Sequence, residues 1–181
     1  MSTFGRITDA PASFTLVGAR VVDPSVGTDT VADLAVVDGT LTDPAMAPAG
    51  LPRLDGTGLM AMPALCDLHT HLREPGDGRA ETIETGTRAA SHGGYATVCA
   101  MPNTDPPLDE RARVALVMDL AQDAACRVRV VAAATRGREG ERMTEVGELV
   151  PLRIAGISDD GAAVASARVA RGILAYLAPL D

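Results

Sequence analysis

The sequence contains no lysine and no tryptophan, and all sixteen of its basic residues are arginine. No lysine side chain is therefore available as Schiff base, general base or carbamate. With two Phe and two Tyr in 181 residues, aromatic platforms for stacking nucleobases are excluded as well. Positive charge is scarce: the formal net charge is -8 and no basic cluster is present, which argues against nucleic-acid and anionic-membrane partners. No apolar run approaches the roughly 18 residues of a membrane span. The opening residues, Met1-Ser2-Thr3-Phe4-Gly5-Arg6, lack a charged segment leading into an apolar one, so a cytoplasmic location is expected. Cysteines number three, Cys66, Cys99 and Cys126, an odd count without metal-site spacing. All three lie in or beside apolar runs and read as small buried hydrophobes.

What is present is a globular composition, 46% apolar, long enough to bury a core. Short strands broken at Gly18 and Pro24 are expected over residues 14–24, and another over 32–39, closed by an Asp38-Gly39 turn. The Pro-, Gly- and Ala-rich residues 43–58 read as a connector. From Leu59 the texture changes. Strands are expected over 59–66, 95–101, 127–134 and 152–158, alternating with helices over 80–91, 109–124, 141–150 and 164–177. Four such units mean a parallel sheet. A complete (β/α)8 barrel takes about 250 residues, so two readings stand: a compact four-stranded layer, or half of a barrel.

The segment that carries chemistry is Asp67-Leu68-His69-Thr70-His71-Leu72-Arg73-Glu74-Pro75-Gly76. Alternation along a strand puts residues two apart on one face, so His69 and His71 can reach one divalent ion as neutral nitrogen ligands. A bare His-x-His pair is a weak signal, and the neighbours strengthen it. Asp67 shares the parity of the pair and can orient a ligand from behind. Arg73 continues the same parity and offers a planar fork to a carboxylate. His92, before Gly93-Gly94, reads as a residue at a helix C-terminus.

This decapeptide resembles the signature of the dihydroorotases, within the amidohydrolase superfamily. Further segments are similar to that family in the same order. They are Val17-Gly18-Ala19-Arg20-Val21-Val22-Asp23-Pro24, Glu81 to Ala90, Met101-Pro102-Asn103-Thr104 and Ile157-Ser158-Asp159-Asp160-Gly161. The resemblance implies an α/β fold: the N-terminal half of a (β/α)8 TIM-type barrel, preceded by part of a small β-sandwich. It places the partial sandwich and connector in residues 1–58 and the first four βα units in 59–181. It further implies zinc, one or two ions per complete site, bound by His69, His71 and Asp160, with Arg73 and Asn103 holding the substrate carboxylate.

The implied reaction is reversible, zinc-dependent hydrolysis of the cyclic amide of dihydroorotate to N-carbamoyl-L-aspartate, in pyrimidine biosynthesis. Hydantoinases and other dihydroorotase types resemble this family but bridge two metals through a carboxylated lysine on the fourth strand. The lysine-free sequence with Asp159-Asp160 at that place favours the type I dihydroorotase pattern over a hydantoinase- or allantoinase-like one. The family's proton-shuttling carboxylate and two further ligand histidines belong to later strands, so no catalytic group is assigned in these 181 residues. The chain is accordingly expected to be an N-terminal portion. A non-catalytic dihydroorotase-like subunit supporting aspartate transcarbamoylase is the alternative from another class. A half-barrel would leave its first and fourth strands with unpaired edges, which predicts a chain that is oligomeric, aggregated or only partly ordered. The protein partners expected are further copies of itself or, from the resemblance, aspartate transcarbamoylase.

Overall fold

Thr, Val and alternating polar residues dominate the first strands, and they pair as the composition dictates. The computed structural model describes residues 11–180, so the expectation drawn from Met1 to Arg6 lies outside the described residues. The chain divides into two compact units between Pro63 and Ala64. In the first, β1 (Phe14–Asp23) pairs antiparallel with β2 (Thr28–Val37), which pairs with β3 (Thr40–Thr42). β4 (Arg53–Asp55) and β5 (Met60–Ala61) both run parallel to β1, completing one five-stranded sheet. The sequence suggested a break at Gly18; the strand instead continues through it. Gly18 adopts φ +70 at a register shift between Leu16 and Ala19, and its N–H donates to Asp33 Oδ1 at 2.9 Å. A glycine in left-handed conformation is what a bulge of this kind requires.

The second unit is a parallel sheet in the order β6 (Leu65–Thr70), β7 (Tyr95–Ala100), β8 (Arg127–Ala133), β9 (Gly156–Ser158). It curls as half of a barrel wall, as the resemblance implied. Helices α1 (Ile83–His92), α2 (Arg111–Leu120), α3 (Val146–Leu149) and α4 (Ala167–Leu177) follow the four strands in turn. Strand alternation sorts the side chains. Val98, Ala100, Val130 and Ala132 pack on one face with Ile83, Leu108, Val114, Val117 and Leu149, while Cys99, Met101 and Val131 cluster separately. Among the described residues β6 pairs only with β7 and β9 only with β8, so both edges of the sheet are open. Leu68 on β6 is 74% exposed. Among the described residues no helix is long and apolar enough to cross a membrane.

Three expectations need correction. The apolar run 59–66 is not one strand: Met60–Ala61 belong to the first sheet, and the barrel strand begins at Leu65, beyond Pro63. The helix expected over 141–150 shrinks to Val146–Leu149, because Gly140 turns at φ +75 and Met143 bridges back to Thr135. Cys66 is exposed rather than buried. Burial does push the thiols of Cys99 and Cys126 up, which keeps them protonated and inert.

Helix α1 ties the motif segment to the core. Thr82 caps it in a reciprocal bond pair with Thr85, and Glu74 Oε2 accepts the Ile83 N–H at 2.7 Å. A carboxylate on the free N–H groups of a first turn is favourable through both the hydrogen bond and the helix dipole. Leu72, next to His71, is 3% exposed, and Gly86 on α1 makes room for it. A Cβ on residue 86 would lie 2.6 Å from Leu72 Cδ2 and 3.0 Å from Glu81 Cδ. Gly86→Val is therefore expected to destabilise the protein by about 2 kcal/mol through overpacking, read as a lower urea midpoint. An unchanged or higher midpoint would show that Leu72 is free to move aside.

Candidate metal centre

The histidines reach their positions through a bulge. Between the pairs Asp67↔Val98 and Thr70↔Ala100, β6 advances three residues and β7 two. Asp67 Oδ1 accepts the His69 N–H at 3.0 Å, bonding at the point where the ladder is interrupted. Asp67 thus positions His69 through its backbone and not through the imidazole. His71 follows the strand's last residue, and Met101 N–H donates to Thr70 O at 2.9 Å, aligning the ends of β6 and β7.

Both imidazoles meet the carboxylate of Asp160, just beyond β9. His69 Nε2 lies 3.1 Å from Asp160 Oδ1 and His71 Nε2 lies 3.6 Å from Asp160 Oδ2. One donor atom from each of the three residues lies within 4.8 Å of the others. Donors of a tetrahedral divalent ion, each about 2.0–2.2 Å from it, sit about 3.3–3.6 Å apart. The observed spacings bracket that value, and two imidazoles with one carboxylate suit a borderline transition ion. These residues fit a metal ion. The His69 side chain is 56% exposed and that of Asp160 only 16%, so the cluster is closed on the carboxylate side and open on the histidine side.

Asp160 is held by a network that the sequence did not disclose. Its neighbour Asp159, 6% exposed, accepts Thr135 N–H on Oδ1 at 2.9 Å and the Thr135 hydroxyl on Oδ2 at 2.5 Å. Thr135 Oγ1 in turn accepts the Gly140 N–H at 2.8 Å. The Asp160 N–H donates to Ser158 Oγ at 3.0 Å, and Arg138 Nη2 donates to the Asp160 carbonyl at 2.6 Å. The two adjacent aspartates thus have opposite surroundings: one ties β8 to β9, the other faces the histidines.

Asn103, on the loop after β7, joins the cluster: its Oδ1 lies 2.9 Å from His71 Nδ1. Arg73 is exposed at φ +60, and its side chain makes no hydrogen bond or ion pair among the described residues. A non-glycine residue in that region costs about 1–2 kcal/mol, strain of a kind often kept where a side chain must be presented. His92 stays away from the cluster and bonds the Arg88 carbonyl through Nδ1 at 2.8 Å, at the end of α1. Glu74 and Thr135 were missed by sequence reasoning; only the position of Glu74, before a helix, carried any signal.

Parallel strands curled as half of a barrel wall, with His, His and Asp gathered at their C-terminal ends, are the arrangement of the amidohydrolase class. Solved structures agree on the fold. L-hydantoinase (dihydropyrimidinase) from Arthrobacter aurescens superposes with a TM-score of 0.72 over 92% of this chain and 38% of its own, at 21% identity. Beta-aspartyl dipeptidase from Fervidobacterium islandicum AW-1 does so with a TM-score of 0.62 over 94% of this chain and 48% of its own, at 14% identity. The chain belongs to the dihydro-orotase-like family, which it matches over residues 58–178. Dihydroorotase of Geobacter sp. strain M21 is 39% identical over 163 residues, 88% of this chain and 38% of that protein. That of Syntrophobacter fumaroxidans is 40% identical over 179 residues, 94% of this chain and 41% of its own. The chain thus spans about two fifths of the length of these relatives.

Proposed function

We propose that this chain supplies the metal-binding half of a cytoplasmic, zinc-dependent dihydroorotase, which interconverts dihydroorotate and N-carbamoyl-L-aspartate. The observation that carries the reading is the convergence of His69 Nε2, His71 Nε2 and the Asp160 carboxylate at strand ends, in a chain about 40% identical to dihydroorotases. In the hydrolytic direction water adds across the ring C–N amide bond; the carbonyl carbon becomes a carboxylate and the nitrogen leaves with a proton. Zinc, when bound, polarises that carbonyl and makes water nucleophilic near neutral pH. His69, His71 and Asp160 would hold it. Arg73 would grip the substrate's own carboxylate with two parallel N–H bonds, and the Asn103 Nδ2 hydrogens are available to the same group. On this reading the proton-transferring residue and the strands that close against β6 and β9 would come from outside these residues. A hydantoinase-like activity is the weaker reading, since its support is likeness of fold and the sequence holds no lysine to bridge two metals. A scaffold supporting aspartate transcarbamoylase would have no need of the intact donor set.

The test compares two arginines in the assembled, active protein. Removing a bidentate charge-assisted contact costs about 2–4 kcal/mol, so Arg73→Ala is expected to lower kcat/KM for dihydroorotate about a hundredfold. The Arg79 side chain is 94% exposed and among the described residues pairs only with Asp77; Arg79→Ala is expected to retain activity within about twofold. Equal losses would show that the substrate pocket has been misplaced.

A further inference from the structure

Resemblance gives Asn103 a single task, binding the substrate carboxylate. We propose that Asn103 is also a positioning residue for the metal site: its carboxamide oxygen fixes His71 in the tautomer whose free lone pair is on Nε2. This rests on the reading of His69, His71 and Asp160 as a metal centre. A carboxamide oxygen can only accept, so the 2.9 Å contact of Asn103 Oδ1 with His71 Nδ1 requires the proton on Nδ1. A neutral imidazole has one ring proton, and Nε2 is left as a donor of electrons. Nε2 is also the atom that faces Asp160, at 3.6 Å. The tautomer set from one side of the ring is thus the tautomer a metal needs on the other.

The loop that presents Asn103 is itself held at several points. Leu108 N–H donates to Pro102 O at 3.2 Å, Asp105 N–H to Pro75 O at 3.1 Å and Thr104 Oγ1 to Pro106 O at 2.7 Å. One of these bonds reaches back to the turn that follows His71 and Arg73. His69 has no such partner for its other ring nitrogen among the described residues, which singles out His71 as the imidazole whose orientation is set in advance. Oxygen and nitrogen of the one carboxamide then have separate uses: Oδ1 for the imidazole, Nδ2 for substrate.

Substitutions separate the two uses. Asn103→Asp keeps an acceptor for Nδ1–H and loses the Nδ2 donors; Asn103→Ala loses both. The protein is labelled with nitrogen-15 in its histidine rings and freed of metal. Its long-range proton–nitrogen correlations are recorded in alkaline buffer, where imidazole is neutral, with His71 identified by its loss in His71→Ala. Wild type and Asn103→Asp are expected to show His71 protonated on Nδ1, and Asn103→Ala to lose that preference. Zinc affinity, measured by competition with a chromophoric chelator, is expected to fall about 10–100-fold in Asn103→Ala and to stay within a few-fold of wild type in Asn103→Asp. A wild-type His71 protonated on Nε2, or an Asn103→Ala variant that binds zinc as tightly as wild type, would overturn the proposal. Failure of the wild type to bind zinc would instead overturn the metal-centre reading, while the metal-free spectra would still decide the tautomer.

Discussion

Asp159→Ala is expected to lower the stability of the barrel unit by about 3 kcal/mol, whereas Asp160→Ala should change it by less than about 1 kcal/mol in metal-free protein. The two residues are adjacent and chemically identical, so the difference must come from what surrounds them. Asp159 is 6% exposed and accepts both the backbone N–H and the hydroxyl of Thr135. Truncating it strands a buried backbone donor between β8 and β9. It also removes two bonds to an ionised acceptor, each worth about 1.5–3 kcal/mol. The Thr135 hydroxyl could still rotate, but its remaining partner, Gly140 N–H, uses it as an acceptor and offers no replacement. Among the described residues the Asp160 carboxylate accepts no bond from a backbone N–H or a hydroxyl; its oxygens face two imidazoles and the open side of the cluster. Asn at 159 keeps one acceptor for the Thr135 N–H and should cost roughly half of what Ala costs. Urea unfolding of the metal-free variants, followed by circular dichroism, measures this directly. Equal midpoints for the two alanine variants would mean that the Thr135 clamp does not hold β9 in place.

Much of the site was readable because short-range rules govern it. Two histidines at a strand end, an aspartate pair at another and an asparagine after a third are each local patterns, and the βα rhythm placed all three at one end of the sheet. Alternation along a strand predicts the His69–His71 pairing by a simpler route than the chain takes. His71 lies past the last residue of β6, and the Asp67 bond to His69 N–H sits in a bulge between them. The opening segment of the barrel was hidden for a related reason. An unbroken apolar run such as 59–66 has no period, so it cannot reveal that Met60 and Ala61 pair with Arg20 and Val21 while Leu65 starts another sheet. The function of Asp159 depends on Thr135, twenty-four residues away. No spacing rule connects them. Arg153, at φ +55, likewise shortens β9 to Gly156–Ser158 in a stretch whose apolar pattern promised seven strand residues.

The largest effect is expected on metal content. Two neutral imidazoles contribute most of the affinity of a three-donor site, and neither Asp160 alone nor His92, engaged with the Arg88 carbonyl, can replace them. Removing both should cost several orders of magnitude in affinity, far more than the 10–100-fold lost with a supporting residue. On the proposed reading, three protein donors would leave a position open for water or substrate, as hydrolytic zinc sites require. Elemental analysis of purified protein, dialysed against zinc and then against buffer, is the direct measurement. Wild type is expected to retain about one zinc per chain through these donors, and the His69→Ala, His71→Ala double variant essentially none at unchanged fold. Equal zinc in the two proteins would contradict the assignment of the site.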